Sequence, residues 1–350
     1  MGNGASTGTE IDISDAQPEI IRPTIAIYAD NIPEAYEQAM KRVWTEGASI
    51  RTQHDIRDPI THKYLNPPSR DAKVIIQVSN PFNQPRFHRA FKDGLGSLGE
   101  YVEEVTQGAH DYWMPSLDVR LAEARSKEGR VNTKWFYTYH ERLKHYPGTS
   151  WEFIDQIENM AQNLAASSFT RRAQAITYVP WIDQLIDDPP CLQRVWARIF
   201  QGPDGKNYLY FDSDWRSRDL PGAWLENVAG ITTLQRDLVW RVNEIRGEED
   251  WVLVGPYTDH CNSLHIYGRD FEKVGGDPEK GVRSFFERME TKPFEDRTWD
   301  SKFVRHLFID DGVGHGLQVM LEKEKGKMPE EVWMKVAADL ERMKDPSYIV

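Results

Sequence analysis

A cysteine that follows two prolines lies between two arginine-containing segments. The segment DDPPCLQRVW (187–196) contains Cys191, one of only two cysteines in 350 residues, and the pair Arg171–Arg172 ends nineteen residues before it. A thiolate is a nucleophile and arginine binds phosphate well, although buried cysteines are commonly inert and exposed arginine pairs are commonly just solvated. Alone, each residue is therefore compatible with a structural role, and the order of the surrounding motifs carries the functional information.

The segments after Cys191 follow in a defined order. The turn sequence GPDGKN (202–207) predicts a hairpin that leads to WRSRDLPGAWLEN (215–227), and HIY follows at 265–267. Within the middle segment, Asn227 lies eleven residues after Arg216. Each piece is weak by itself, but six pieces in one order form a specific pattern.

This pattern resembles the thymidylate synthase superfamily: double arginine, strand, Pro-Cys, hairpin, Arg-Ser-x-Asp with its asparagine, and His-x-Tyr. The likeness covers about residues 31–275. It implies an α+β fold, with a mixed sheet packed by helices and a sheet face that forms a homodimer interface. It also implies that the Cys191 thiolate adds to C6 of a pyrimidine nucleotide, which makes C5 a carbon nucleophile, and that Arg216 lowers the pKa of the thiol.

The resemblance implies a phosphate site made of four residues. Arg51, in EGASIRTQ, matches an arginine of the family's early phosphate-binding loop. Arg171 and Arg172 match the pair that reaches across a dimer to the phosphate of the other subunit, and Ser217 would add a hydroxyl. Arginine forks bind phosphate through bidentate, charge-assisted hydrogen bonds, which suits this assignment.

Five further positions receive roles from the resemblance. Asp219 matches the carboxylate that holds the pterin of the folate, and Asn227 matches the side chain that contacts the pyrimidine edge. His265 and Tyr267 match the pair that binds the 3′-hydroxyl of the sugar. Tyr139, thirty-two residues before the double arginine, matches a catalytic tyrosine near the cysteine.

One catalytic position is not assigned uniquely. In the family, a glutamate on an early active-site helix orders the water that handles protons at the base. The segment SLGEYVEEVTQG (97–108) predicts this helix, with Glu100 as the preferred glutamate and Glu103 and Glu104 as alternatives. A solvated surface charge is the structural alternative for each of them.

The sequence departs from the family pattern around the base. Leu192 replaces the histidine that usually follows the cysteine, and AWLEN (223–227) replaces the usual GLPFN. Lys134 brings a cation near this region in sequence and is a candidate substrate-binding residue, with an ordinary surface lysine as the alternative. We expect these changes to admit water beside the base.

The departures favour a pyrimidine nucleotide 5-hydroxymethylase over a thymidylate synthase. Both enzymes would use 5,10-methylenetetrahydrofolate as cosubstrate and no metal. In the first, water captures the methylene on C5 of a cytidylate (CMP or dCMP); in the second, hydride from the folate completes a methyl group on dUMP. Asn227 leaves the base open, because a carboxamide can rotate to pair with uracil or with cytosine. A nucleotide- or RNA-binding relic is a third alternative, which the intact Cys191, Arg216 and Asn227 disfavour.

The composition excludes some classes of partner. Lys+Arg 43 against Asp+Glu 55 gives a net charge of −12, which opposes a broad nucleic-acid footprint but allows a small phosphorylated ligand. The two cysteines are too few for a disulfide framework or a cysteine zinc site and suit a reducing cytoplasm. No apolar run approaches the roughly 20 residues that span a bilayer.

Predicted helices and strands carry the candidate site residues. They follow one another without a regular βαβ order, which predicts an α+β fold. Helices are predicted at 31–47, 224–245 and 329–343, with a further one that begins at a capping box of Thr149 and Glu152. Strands are predicted at 171–181, 191–200, 208–217 and 250–257, and GVGHG (312–316) is predicted to be a turn. Residues 1–22 are predicted to form a flexible tail before a single catalytic domain at 23–350.

Overall fold

The computed structural model describes residues 22–126, 136–148, 152–247, 251–274, 276–301, 303–304 and 313–345. It confirms the α+β prediction, because one mixed sheet is packed by helices. Lys134, Thr149 and nearly all of the predicted tail lie outside the described residues. In the part of the chain that is described, no helix combines the length and the apolar character needed to cross a membrane.

The strands of the described residues are β1 (Thr24–Ala29), β2 (Ala48–Ile50), β3 (Ser69–Val78), β4 (Phe87–His88), β5 (Tyr146–Pro147), β6 (Phe153–Ile154), β7 (Gln174–Ile176), β8 (Leu192–Gln201), β9 (Asn207–Trp215), β10 (Arg218–Asp219), β11 (Val252–Ile266) and β12 (Thr298–Trp299). The α-helices are α1 (Ile32–Glu46), α2 (Gly94–Gln107), α3 (Leu117–Ser126), α4 (Tyr139–Lys144), α5 (Gln156–Ala166), α6 (Pro180–Asp183), α7 (Leu220–Arg246), α8 (Val282–Thr291), α9 (Phe294–Arg297), α10 (Val313–Lys323) and α11 (Glu330–Met343).

The central sheet has eight strands. Its path is β1–β3–β11–β9–β8–β7, with β2 beside β3 and β10 beside β11. The pairs β1/β3, β9/β11 and β10/β11 are parallel, and the others are antiparallel. Consequently four chain segments meet at one end of the sheet, where they can form a common site. They are the start of β8, the end of β9, the whole of β10 and the end of β11.

Helix α7 is the central helix of the fold. The Asp219 carboxylate caps it by accepting the N–H of Gly222 at 3.1 Å, and Pro221 occupies the first turn, where its missing N–H is harmless. Apolar residues such as Val228 and Ile231 are fully buried. Because α7 packs against α1, α2, α5 and β11, its amino-terminal turns hold a fixed position beside the end of the sheet.

The sheet face opposite the helices is partly uncovered. Alternate residues of β8 and β9 are buried, such as Val195 and Phe211, whereas their neighbours are half-buried or exposed, such as Trp196, Arg198 and Phe200. An alternating strand normally buries one face and leaves the other to solvent or to a partner. The homodimer contact predicted for this face stays a prediction.

Four sequence-predicted boundaries differ from the structure. The helix predicted to begin at the Thr149–Glu152 capping box begins at Gln156, because Asp155 caps it by accepting the N–H of Glu158 at 2.8 Å. The strand at 171–181 shrinks to β7, since Pro180 starts the short helix α6. Of the turn predicted at 312–316, residues 313–316 are described and begin helix α10. The strand predicted at 250–257 continues to Ile266. The helices at 31–47 and 329–343 are confirmed.

Candidate active site

Cys191 lies where β8 begins and β9 ends. The pairing of Leu192 with Trp215 brings the next residue of the chain, Arg216, beside the cysteine, and the Arg216 N–H donates to the Cys191 carbonyl at 2.9 Å. The half-buried Cys191 Sγ lies 3.7 Å from the Ser217 hydroxyl. The hairpin register therefore places the candidate nucleophile beside Ser217, a predicted phosphate ligand, and beside Arg216, which was predicted to act on the thiol.

The Arg216 side chain forms hydrogen bonds and an ion pair with residues 188–190, which precede the cysteine. Its guanidinium donates to the carbonyls of Pro189 at 2.6 Å and Pro190 at 3.2 Å, and it forms an ion pair with Asp188 at 3.0 Å. A further nitrogen donates to the Ser217 hydroxyl at 3.1 Å. These bonds hold the carbonyls of both prolines, and with them the chain that leads into Cys191, in place.

The pKa of the Cys191 thiol differs from the prediction. Burial raises it above its usual value, and this outweighs the lowering by Arg216 and by the Ser217 hydroxyl, while the Asp188 carboxylate raises it further. Desolvation disfavours a thiolate, and Arg216 already shares its charge with Asp188. The prediction that Arg216 lowers the pKa describes its contribution correctly but not the net direction in the unliganded site.

Tyr139 is packed directly behind the cysteine. Its hydroxyl accepts the N–H of Leu192 at 3.4 Å, and its ring makes an edge contact with Trp215 at a centroid distance of 5.7 Å. Thr138 caps the helix that Tyr139 opens, by accepting the N–H of Glu141. Burial and the nearby Cys191 raise the pKa of Tyr139, so the hydroxyl keeps its proton at neutral pH.

Asp219, His265 and Tyr267 come together through β10 and β11. Asp219 is paired with His265 in parallel register, and the His265 ring lies 4.4 Å from the Tyr267 ring. His265 Nδ1 bonds to the Ser263 carbonyl at 3.0 Å, so Nδ1 carries the proton, and burial lowers the pKa of the imidazole. Its Nε2 is buried without a hydrogen-bond partner among the described residues, which leaves an acceptor for a ligand hydroxyl.

Asn227 contacts a residue that sequence reasoning missed. Its Nδ2 donates to the Tyr101 hydroxyl at 2.6 Å, where the buried Asn227 of α7 meets the half-buried Tyr101 of α2. Gly230 makes this approach possible, because a β-carbon there would lie 3.2 Å from the Tyr101 ring and from Val105. A glycine inside a long helix costs stability, which is a signal of close packing in the sequence.

None of the three candidate glutamates of α2 forms a hydrogen bond or ion pair with another predicted site residue among the described residues. The charges that act on Glu100 come from His110, Lys323 and Glu324. Glu104 bonds His110 Nδ1 at 2.6 Å. Glu103 is buried against charged residues of α7 and α11, including Asp339. Among these side chains, then, α2 directs Tyr101 to Asn227, and the predicted role of Glu100 stays a proposal without a contact to the other site residues.

The remaining predicted phosphate ligands are not assembled around Cys191 in a single chain. Arg51 is exposed; it donates to the Asn66 carbonyl at 2.7 Å and lies over the Tyr64 ring at 3.9 Å. Arg171 and Arg172 are exposed before β7. Only their backbones form hydrogen bonds, to the side chains of Thr170 and Trp196, and among the described residues their guanidinium groups have no hydrogen bond or ion pair. Their guanidinium groups are therefore available for a second chain or a ligand.

Arg218 is a second charged group near the cysteine that the sequence did not single out. It forms a fully buried ion pair with Asp259 at 2.6 Å, and its guanidinium lies 3.5 Å from the Trp215 ring centroid. It acts electrostatically on Cys191 and on Tyr139. A buried arginine that is paired and stacked holds the Arg-Ser-x-Asp segment in place.

One group of potential metal ligands occurs in the described residues. Asp111, His140 and His145 have ligand atoms within 4.8 Å of one another. The Asp111 carboxylate already accepts hydrogen bonds from the Thr138 hydroxyl and from His140 Nδ1. These bonds account for the proximity of the first two groups, and no catalytic role is assigned to the cluster.

Comparison with known proteins gives a consistent family. No protein-family profile matches the chain. Curated proteins named "Putative thymidylate synthase" do match it. The one from Methanococcoides burtonii is 30% identical over 249 residues, 71% of this chain and 92% of the relative. That from Methanosarcina mazei is 31% identical over 249 residues, with the same coverage. A third, from Methanothermobacter marburgensis, is 25% identical over 263 residues, 71% of this chain and 95% of the relative.

The likeness and the geometry agree. The matches extend over nearly the whole length of relatives that are as much as 31% identical, and the chain folds so that Cys191, Arg216, Ser217 and His265 lie at one end of a mixed sheet. On these grounds, the chain belongs to the thymidylate synthase superfamily.

Proposed function

We propose that the protein is a pyrimidine nucleotide 5-hydroxymethylase. It transfers the methylene group of 5,10-methylenetetrahydrofolate to C5 of a cytidylate, CMP or dCMP, and water captures the methylene. The observation that carries the nucleotide chemistry is the position of Cys191 Sγ, 3.7 Å from the Ser217 hydroxyl and beside the Arg216 backbone. A nucleophile next to a phosphate-binding pair suits covalent catalysis on a nucleotide.

The phosphate is held by Arg216 and Ser217, with Arg51 from the loop after β2 and with Arg171 and Arg172 from a second copy of the chain. The exposure of the double arginine supports its use between subunits. When the phosphate binds, Arg216 can exchange its bonds to proline carbonyls for charge-assisted bonds to phosphate oxygens.

We propose that the sugar and the base of the nucleotide bind on the side of Cys191 away from the phosphate. The unpartnered His265 Nε2 accepts the sugar hydroxyl, and Tyr267 packs against the imidazole. Asn227 pairs with the pyrimidine edge while Tyr101 holds its carboxamide. Tyr139, whose hydroxyl keeps its proton because burial raises its pKa, donates a hydrogen bond near the thiol.

The folate supplies the one-carbon unit and leaves as tetrahydrofolate. The Cys191 thiolate adds to C6, C5 takes the methylene, and loss of the C5 proton leaves an exocyclic methylene on the nucleotide. Asp219, at the amino terminus of α7, holds the pterin. The changed wall, with the fully buried Leu192 and the polar Glu226 in segment 223–227, supports capture by water in place of hydride.

Thymidylate synthase activity on dUMP is the second candidate. The names of the matching relatives favour it. The Asn227 carboxamide can present its donor and acceptor to uracil as well as to cytosine, so the base-reading residue is compatible with both.

The products distinguish the two activities. The protein is incubated with methylenetetrahydrofolate and, separately, CMP, dCMP, dUMP or UMP, and the nucleotides are weighed by mass spectrometry while dihydrofolate is followed by absorbance. We expect a cytidylate heavier by CH₂O and no dihydrofolate. Stoichiometric dihydrofolate, with a product heavier by CH₂, would overturn the hydroxymethylase proposal in favour of the synthase.

A further inference from the structure

Glu226 places a buried carboxylate oxygen without a partner next to Asn227 in the chain. It is the fourth residue of AWLEN, where the family pattern GLPFN has phenylalanine. Its Oε1 is buried and forms no hydrogen bond with the described residues, while the backbone N–H of Asp93 donates to the carboxylate. Leaving a buried oxygen unpaired costs free energy that apolar packing would avoid, so the position points to a ligand or a water.

The position of Glu226 on α7 places it beside the proposed folate site. It lies seven residues after Asp219, which corresponds to about two helical turns and roughly 10 Å along the helix axis. The Lys92 ammonium acts electrostatically on both carboxyl groups. The two carboxyl groups, about two helical turns apart on α7, are thus both within electrostatic range of Lys92.

A cavity lies next to the first turn of α7, although Glu226 itself is not part of its wall. This cavity has a volume of about 260 Å³, and its wall includes Lys92, Pro221 and Tyr36. Lys92 is therefore common to the cavity and to the surroundings of Glu226. A cavity of this size holds several waters, since one water in the liquid occupies about 30 Å³.

The surroundings of Glu226 bring the pKa of its carboxyl group close to neutral pH. Burial raises the pKa of Glu226 to about 7; the Asp93 carboxylate adds to this, whereas Lys92 opposes it. A carboxyl group that is about half ionised at pH 7 can accept a proton from water and release it again. An ordinary exposed glutamate is a much weaker base.

We propose that Glu226 is the general base for the water that captures the exocyclic methylene. The inference rests on the proposed hydroxymethylase function. The water oxygen forms a bond to the methylene carbon as Glu226 takes a proton from it. The electron pair of the exocyclic double bond moves into the ring, restores the C5–C6 double bond and expels the Cys191 thiolate. The product carries CH₂OH on C5, and no oxidant or reductant is required.

The substitution Glu226→Gln keeps the size of the side chain and removes the base. We expect at least about a 100-fold slower formation of hydroxymethyl product, since general bases contribute roughly 10²–10⁴-fold. Exchange of the C5 hydrogen, which requires Cys191 but not the capturing water, should stay within about threefold of wild type. Asp339→Asn, a change from carboxyl to amide at another buried acid with a raised pKa, is the matched control and should leave both rates unchanged.

A pH profile tests the inference without any substitution. In wild type, the ratio of capture to C5 exchange should fall as the pH drops below about 7, because protonated Glu226 cannot accept a proton. A ratio that does not change with pH, or a Glu226→Gln variant that loses exchange and capture together, would overturn the role. Hydroxymethyl product formed equally by wild type and Glu226→Gln contradicts only this inference, whereas no such product from wild type contradicts the proposed function as well.

Discussion

At the scale of single residues, the sequence predicts which groups surround the cysteine better than it predicts their electrostatics. Arg216 and Ser217 are adjacent in the chain, so one hairpin register brings both to Cys191. The net pKa shift of the thiol depends on burial and on the partner of Arg216, Asp188, which are tertiary properties. The direction predicted from a neighbouring arginine alone was therefore incomplete.

The choice of residue on α2 was beyond sequence reasoning. Consecutive residues of a helix point about 100° apart, so an uncertainty of one position changes which side chain reaches the site. The segment 97–108 was correctly predicted as helical, within a helix that begins at Gly94. Tyr101 bonds Asn227, whereas the water-ordering role of the neighbouring Glu100 stays a prediction.

The Tyr101–Asn227 contact gives a testable specificity effect. Tyr101→Phe removes the hydroxyl and keeps the ring, so the Asn227 carboxamide loses the group that fixes its orientation. We expect the preference between cytosine and uracil nucleotides, measured as the ratio of kcat/KM values, to fall by about two- to tenfold, the effect of one hydrogen bond of about 1 kcal/mol.

Tyr146→Phe is the control for this prediction. It also removes a single hydroxyl, one that donates to the Tyr178 carbonyl at 3.0 Å, at a residue outside the site. It should leave the base preference unchanged. Equal changes in kcat/KM for both bases after Tyr101→Phe would indicate a structural role only.

At the scale of elements, patterned helices were predicted well and irregular junctions poorly. Helix α1, predicted at 31–47, spans Ile32–Glu46 and is capped by the Asn31 side chain. The start of α5 was misplaced by several residues because two capping signals compete, and Asp155 is the one used. The helix propensities of the individual residues cannot decide which of two nearby capping residues is used. The packing of the apolar face of the helix sets where the helix begins.

The end of α2 offers a test of how firmly the helix is positioned. Gly108 ends it with φ = 71°, and a β-carbon there would clash with His140 Nδ1 and lie 2.7 Å from Asp111 Oδ2. We expect Gly108→Ala to lower the free energy of unfolding by about 1–3 kcal/mol, through backbone strain and overpacking together. Urea denaturation measures this change.

Gly96→Ala in the same helix is the matched control. No atom lies within 4 Å of the β-carbon it would add, and its backbone φ is not positive. Alanine should therefore stabilise α2 slightly, by at most about 1 kcal/mol. Equal destabilisation by both substitutions would show that the close contact at Gly108 does not matter.

At the scale of the whole molecule, the fold class follows from the order of elements, but the assembly does not. The predicted α+β sheet is present, with one face covered by helices and the other carrying partly exposed side chains such as Trp196 and Phe200. A single sequence cannot distinguish a solvated face from a face that a partner covers, because both show the same alternation.

Shared active sites predict complementation between two inactive variants. Cys191→Ser and the double variant Arg171→Ala/Arg172→Ala should each be inactive alone. After subunit exchange, a mixed dimer contains one site with both an intact cysteine and an intact arginine pair. Activity should then recover to about a quarter of wild type for random pairing in a closed twofold dimer. Mixed dimers, verified by mass, that stay inactive would count against sites shared between subunits.

The most direct test of the whole account is release of hydrogen from C5. Wild type and Cys191→Ser are each incubated with CMP, dCMP, dUMP and UMP labelled with tritium at C5, and the tritium released to water is counted. We predict release from a cytidylate by wild type and none by Cys191→Ser, with the fold and nucleotide binding of the variant preserved, because only the thiolate can add to C6. Comparable release by Cys191→Ser, or no release from any of the four nucleotides by wild type, would contradict nucleophilic catalysis by Cys191.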